Sequence, residues 1–161
     1  MIVKSGFYII NDEFFNVVSD KYLKDNKDGN RPHYYCFEDD VTGIYWMIPL
    51  SSRVGKYKKI IEKVILKRRK CDILMIAKLD DDRTSVFLIQ DMFPVLEKYI
   101  ERKYTIAGNH LVLTSEHVVR QLEKKERKVL KLIKNGVILN PTQPSAMKIY
   151  NMLRKELQNK N

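Results

Sequence analysis

The stretch HYYCFEDDVTGIYWMIPLSS (His33–Ser52) decides how the sheet is arranged. Two runs rich in aromatic and β-branched residues, HYYCFED and GIYWMIPL, flank Asp39-Asp40-Val41-Thr42-Gly43. Aspartate and threonine side chains hydrogen-bond nearby backbone, and glycine accepts left-handed dihedrals, so the middle reads as a hairpin turn. The two runs are expected to pair antiparallel, with the serine-basic stretch beginning after Pro49-Leu50.

Outward from the hairpin, GFYIIN (6–11) reads as a first strand. DEFFNVVSDKYLKD (12–25) reads as a helix capped by Asn11 or Asp12, with Phe14, Val17, Val18 and Leu23 near helical spacing. NKDGNRP (26–32) is a loop. KYKKIIEKVILKRRK (56–70) is an amphipathic basic helix with Ile60, Ile61, Val64 and Ile65 on one face. CDILMIAKL and TSVFLIQ are strands joined by the turn DDDR. DMFPVLEKYIERKY (91–104) reads as a short helix and HLVLT (110–114) as a last strand. Val118, Leu122, Val129 and Ile133 mark a helix over 115–134, stopped by Asn135-Gly136. VILNPTQPS is a loop and AMKIYNMLRKELQNK a terminal helix. Strands linked by hairpins, with helices outside, give an α+β class and one domain over 1–161.

The chain carries 30 Lys+Arg against 20 Asp+Glu, a net +10 over 161 residues, which points to a polyanionic partner. Cys36 and Cys71 have neither zinc nor disulfide spacing and read as two reduced core thiols. Asn11, Asp12 and Glu13 interrupt the N-terminal apolar run, and no window reaches the ~18 apolar residues of a membrane span, so a soluble cytoplasmic protein is expected. Scattered glycines exclude a phosphate loop. Asp80-Asp81-Asp82 reads as a solvated turn and not as a metal site, and His110 and His117 as structural or surface residues; no metal and no cofactor is expected.

What remains is NRPHYY, IPLSSRVGK and the basic helices. RNA cleavage without metal needs one group to take the ribose 2′-hydroxyl proton, another to protonate the leaving 5′-oxygen, and donors for the charged phosphorane. Ser51 and Ser52 offer hydroxyls at a strand end, Arg53 a bidentate fork and Lys56 a point charge. His33 has the side-chain pKa best matched to proton transfer. Arg31 and Tyr34, with Tyr35, border the same region; the tyrosines divide between core and base-stacking roles. Lys58, Lys59, Lys67, Arg68 and Arg69 on one basic helix, and Arg120, Lys124 and Lys128 on the other, are candidate phosphate contacts. Each also has a bland reading, as loop serines and solvated charge, and the spacing does not choose.

Taken together, GFYIINDEFF, NRPHYYCF, YWMIPLSSRVGK, TSVFLIQDMFPV and YNMLRKELQ resemble the endoribonuclease toxins of type III toxin–antitoxin systems, the ToxN/AbiQ/CptN family, most of all its CptN branch. That resemblance implies a twisted antiparallel barrel-like sheet related to the MazF/Kid toxins. It implies metal-independent RNA cleavage to 2′,3′-cyclic phosphate and 5′-hydroxyl ends. The implied partner is a small repeat-derived antitoxin RNA, cut by the toxin into pseudoknots that inhibit it in a closed protein–RNA assembly; cellular RNA is the substrate. Ser51, Ser52 and Lys56 correspond to the family's hydroxyl pair and lysine. Arg53 shares the lysine's role as a candidate, because Lys56 lies four positions after Ser52 instead of two. His33 stands where other members are basic. The competing readings are a non-catalytic basic RNA-binding module and a membrane-surface protein using its basic amphipathic helices.

Overall fold

The computed structural model describes residues 2–160. The quoted hairpin lies at the centre of its sheet. Strand β2 (His33–Glu38) pairs antiparallel with β3 (Tyr45–Ser51), from His33 opposite Pro49 to Glu38 opposite Tyr45. The Asp39 carboxylate accepts from the N–H groups of Val41 (2.9 Å) and Thr42 (3.3 Å). Gly43 closes the turn at φ +73°, where any other side chain is strained.

Strand β3 runs through Pro49 to Ser51, one residue past the run GIYWMIPL. Its far edge has two successive partners: β6 (Phe93–Val95) lies along Tyr45–Met47, and β5 (Thr84–Phe87) along Leu50–Ser51. Between them the Pro49 carbonyl accepts from Leu88 N–H at 3.0 Å. The imide nitrogen thus falls at the change of partner, where no ladder donor is needed.

The rest of the sheet extends from this centre. β1 (Phe7–Ile10) pairs with β2 and with β7 (Ile100–Lys103), and β4 (Met75–Lys78) pairs with β5, all antiparallel. The order β4-β5-β3-β2-β1-β7, with β6 also on β3, has two ends. Barrel closure is not among these pairings. A two-stranded ribbon, β8 (Thr105–Ile106) with β9 (Asn109–His110), lies apart, so little of HLVLT is strand.

Segment 91–104 is not a helix. It forms β6, a 3-10 turn at Glu97–Tyr99, and β7. Pro94 disfavours a helix interior, and pairing to β3 and β1 satisfies the backbone instead. Helix α1 (Asp12–Val18) is also shorter than its pattern. Asn11 caps it by accepting from Phe14 N–H at 3.0 Å, and Ser19 ends it in the left-handed region at φ 52°.

Helix α2 (Val54–Arg68) packs Tyr57 against Cys71, Leu74, Val86 and Leu88, but Ile65 is 44% exposed, off the predicted face. Helix α3 (Glu116–Lys134) buries Leu122, Val129 and Ile133, as its period predicts. Helix α4 (Ala146–Gln158) stacks Tyr150 on Trp46, centroids 6.0 Å apart, and donates the Tyr150 hydroxyl to Asp39 Oδ2 at 2.6 Å. Cys36 and Cys71 are buried and unbridged. Among the described residues no helix is long and apolar enough to cross a membrane.

Candidate active site

The end of β3 carries Ser51 and Ser52 into a cleft of about 480 Å³. Loop residues Lys27 and Arg31 form one side, and Arg83, Thr84 and Ser85 of the β4–β5 hairpin another; Tyr104 completes the wall. Ser51 is buried: its Oγ accepts from Arg53 N–H at 3.2 Å, and its carbonyl accepts from the Ser85 hydroxyl at 2.9 Å. It therefore fixes the strand end. Ser52 is exposed along the cleft and is free to donate.

Arg31 is half-buried. Its N–H donates to the Asn26 carbonyl at 2.8 Å, and its guanidinium to the Asp25 carbonyl at 3.3 Å. Burial lowers its pKa, opposed by Asp25, Tyr57 and Asp91. Lys27 is also held below its ordinary pKa, first by the charge of Arg31, then by burial and by Arg53. Like charges held this close are relieved by an arriving anion, so the cleft is electrostatically prepared for phosphate.

Two sequence expectations fail here. His33 is fully buried between the rings of Phe15 and Phe93, with Nε2 3.4 Å from the Lys24 carbonyl. Burial pushes its pKa down to about 3, so it is neutral and out of reach of a ribose. Tyr34 is 2% exposed, packs on Phe7 and Phe87, and donates its hydroxyl to Ser5 Oγ at 3.1 Å, so it offers no stacking face. Tyr35 is buried too. Both runs of the hairpin are buried on two faces here, which leaves no alternation to show where a side chain points. For His33→Gln the expected result is cleavage within about threefold of the parent and an unchanged pH–rate profile. A loss of the ~100-fold or more that general acid–base catalysis supplies would restore His33 as a proton carrier.

The remaining candidates separate. Arg53 is the residue preceding α2, exposed beside the cleft. Lys56, on the first turn of α2, lies outside the cleft wall, with Nζ 5.2 Å from the Tyr57 ring centroid. Lys58 and Lys59 are exposed on α2; Lys67, Arg68 and Arg69 are at its far end, about 20 Å along the axis. On α3, Lys124 is exposed, Arg120 pairs with Glu116 at 3.6 Å, and Lys128 lies 3.8 Å from Asp72. Asp72 also meets Lys70 (3.8 Å) and Lys125 (4.0 Å), so the basic C-terminal end of α2 and the middle of α3 converge there, apart from the serine cleft. Sequence reasoning missed Lys27, Arg83, Thr84, Ser85 and Tyr104. The loop NKDGNRP holds two cations within five residues, and that was the available signal.

No protein-family profile matches the chain, and no curated protein sequence matches it. Among solved structures, the chain superposes on AbiQ, a lactococcal anti-phage endoribonuclease of the type-III toxin–antitoxin system, with a TM-score of 0.68. The match covers 99% of this chain and 100% of AbiQ at 12% sequence identity, so the two share a fold.

Proposed function

We propose that the chain is a metal-independent endoribonuclease toxin of a type III toxin–antitoxin system, with an RNA antitoxin as its partner. The observation that carries this reading is the single cleft shared by Ser52, Arg31 and Lys27. The AbiQ-like fold and the net +10 charge support it. In this proposal the open sheet is a relative of the barrel-like MazF/Kid toxins.

The ribose 2′-hydroxyl attacks the adjacent phosphorus and the bond to the 5′-oxygen breaks, leaving a 2′,3′-cyclic phosphate and a 5′-hydroxyl. Arg31 and the Ser52 hydroxyl hold the two non-bridging oxygens as charge develops on them. Lys27 is the candidate proton carrier in place of His33: the Arg31 charge holds its pKa below the ordinary lysine value, and the fraction that has lost its proton takes the 2′-hydroxyl proton and returns one to the leaving oxygen. Arg53 and Lys56 flank the site and grip neighbouring phosphates. The basic end of α2 and the basic middle of α3 hold the pseudoknot antitoxin that the enzyme has cut from its repeats, within a closed protein–RNA assembly.

End-group analysis of RNA incubated with the protein tests the reaction. Cyclic phosphate ends are expected, with EDTA leaving the yield unchanged. Ser52→Ala is expected to slow cleavage by roughly 100-fold while antitoxin affinity stays within about threefold. Metal-dependent cutting, or equal loss of cutting and binding, would overturn the mechanism. RNA bound without any cyclic ends would favour a non-catalytic RNA-binding module.

A further inference from the structure

A second cleft, of about 550 Å³, lies between β2 and α3 and shares no residue with the serine cleft. Glu126 forms part of it. That residue stands on the inward face of α3, in line with Leu122, Val129 and Ile133, where an apolar side chain would pack without desolvating a carboxyl. It is 4% exposed, and its Oε1 has no hydrogen-bond partner. A buried acceptor left unpaired is destabilising, so this atom is a place where a donor would be strongly favoured.

The surroundings indicate which donor. Glu38, Asp40 and Glu123 also line the cleft, along with Tyr35 and Phe37. Two cations, Lys4 and Arg127, line it as well, but Lys4 is already paired with Glu123 at 3.2 Å. In a chain of net charge +10 this is a local reversal of sign. The carboxylates stand on separate elements, Glu38 and Asp40 at the end of β2 and Glu123 and Glu126 on α3, a spread that a flexible organic cation can span. An aliphatic chain suits the half-buried Phe37 ring, and ammonium groups at its ends suit separated carboxylates.

We infer that this cleft binds an aliphatic polyamine, with one ammonium on Glu126 Oε1, the methylene chain against Phe37, and a second ammonium at Glu38 or Asp40. Binding is linked to protons. Burial pushes the Glu126 carboxyl up to about 7; the Cys36 thiol acts against that, Glu123 reinforces it, and Lys4 and Arg127 oppose it. An arriving ammonium favours the ionised form and expels the proton.

Calorimetric titration of the RNA-free protein with spermidine tests this. One saturable site is expected, binding several-fold more weakly at pH 6 than at pH 8, with proton release near pH 7 read from buffers of different ionisation heat. Glu126→Gln is expected to weaken binding by about tenfold or more, the loss of one charge-assisted hydrogen bond. If that variant fails to fold, the double variant Glu38→Gln/Asp40→Asn is expected to weaken binding in the same direction. Heat that never saturates, displacement by an equal concentration of Mg²⁺, or folded variants that bind like the parent would overturn the proposal.

Discussion

Arg31→Ala is expected to lower RNA cleavage by roughly 10²- to 10³-fold, the scale of removing one preorganised donor to a charged transition state. Arg31 is the half-buried cation of the serine cleft, and its backbone stays tied to Asn26 whatever the side chain. Only one weak side-chain bond, 3.3 Å to the Asp25 carbonyl, is lost with the guanidinium. The thermal midpoint should therefore move little while the rate collapses. Arg31→Lys keeps the charge without the planar fork and should fall between the two. The variant also reports on Lys27. Without the Arg31 charge, the largest cause lowering the Lys27 pKa disappears, so that pKa should rise toward its ordinary value. Residual cleavage should then grow further with pH than in the parent before levelling off. A variant that cuts at the parental rate would remove Arg31 from the mechanism and leave the cleft without its central donor.

The parts of this site that were legible in the sequence are those set by local chemistry. DDVTG announced its turn because Asp39 and Gly43 act within five residues, and the turn fixed β2 and β3 as partners. Ser51 and Ser52 stood out after Pro49, although the strand runs two residues beyond the proline. That extension depends on β5, supplied about 35 residues later in the chain, and no local rule anticipates it. The same distance hid Arg83, Thr84 and Ser85, which reach the cleft only because β5 pairs with Leu50 and Ser51. His33 misled for a different reason. A histidine beside a proline and two tyrosines looks reactive, yet β2 begins inside the core, where the imidazole packs as one more ring between Phe15 and Phe93. Glu126 was invisible as a buried group because the period of α3 was read from its apolar members alone.

Trp46→Ala is expected to cost about 3–5 kcal/mol of folding stability, the range for emptying a large core site. Trp46 is fully buried on β3, stacked with Phe37 at 6.1 Å on one strand and with Tyr150 at 6.0 Å on α4. It is thus, with Asp39, one of the side chains through which the central hairpin holds the terminal helix. Against a typical total of 5–15 kcal/mol, such a loss brings the protein near its threshold. Urea unfolding should show the midpoint falling sharply with little change in slope. Trp46→Phe should cost far less than Trp46→Ala. The indole N–H has no partner in the core, so removing it relieves a desolvated donor while most of the stacked area remains. The substitution reaches the cleft as well, because Ser51 lies five residues further along the same strand. A slackened β3 frees Ser52 and Arg53 from the registry that β5 imposes. Cleavage by Trp46→Ala should therefore fail at temperatures below its unfolding midpoint, while Trp46→Phe keeps both fold and rate. Equal stability of the two variants would mean that Trp46 is not what joins α4 to the sheet, and the Tyr150–Asp39 and Tyr99–Glu156 hydrogen bonds, with the packing of α4 on β6, would carry that connection.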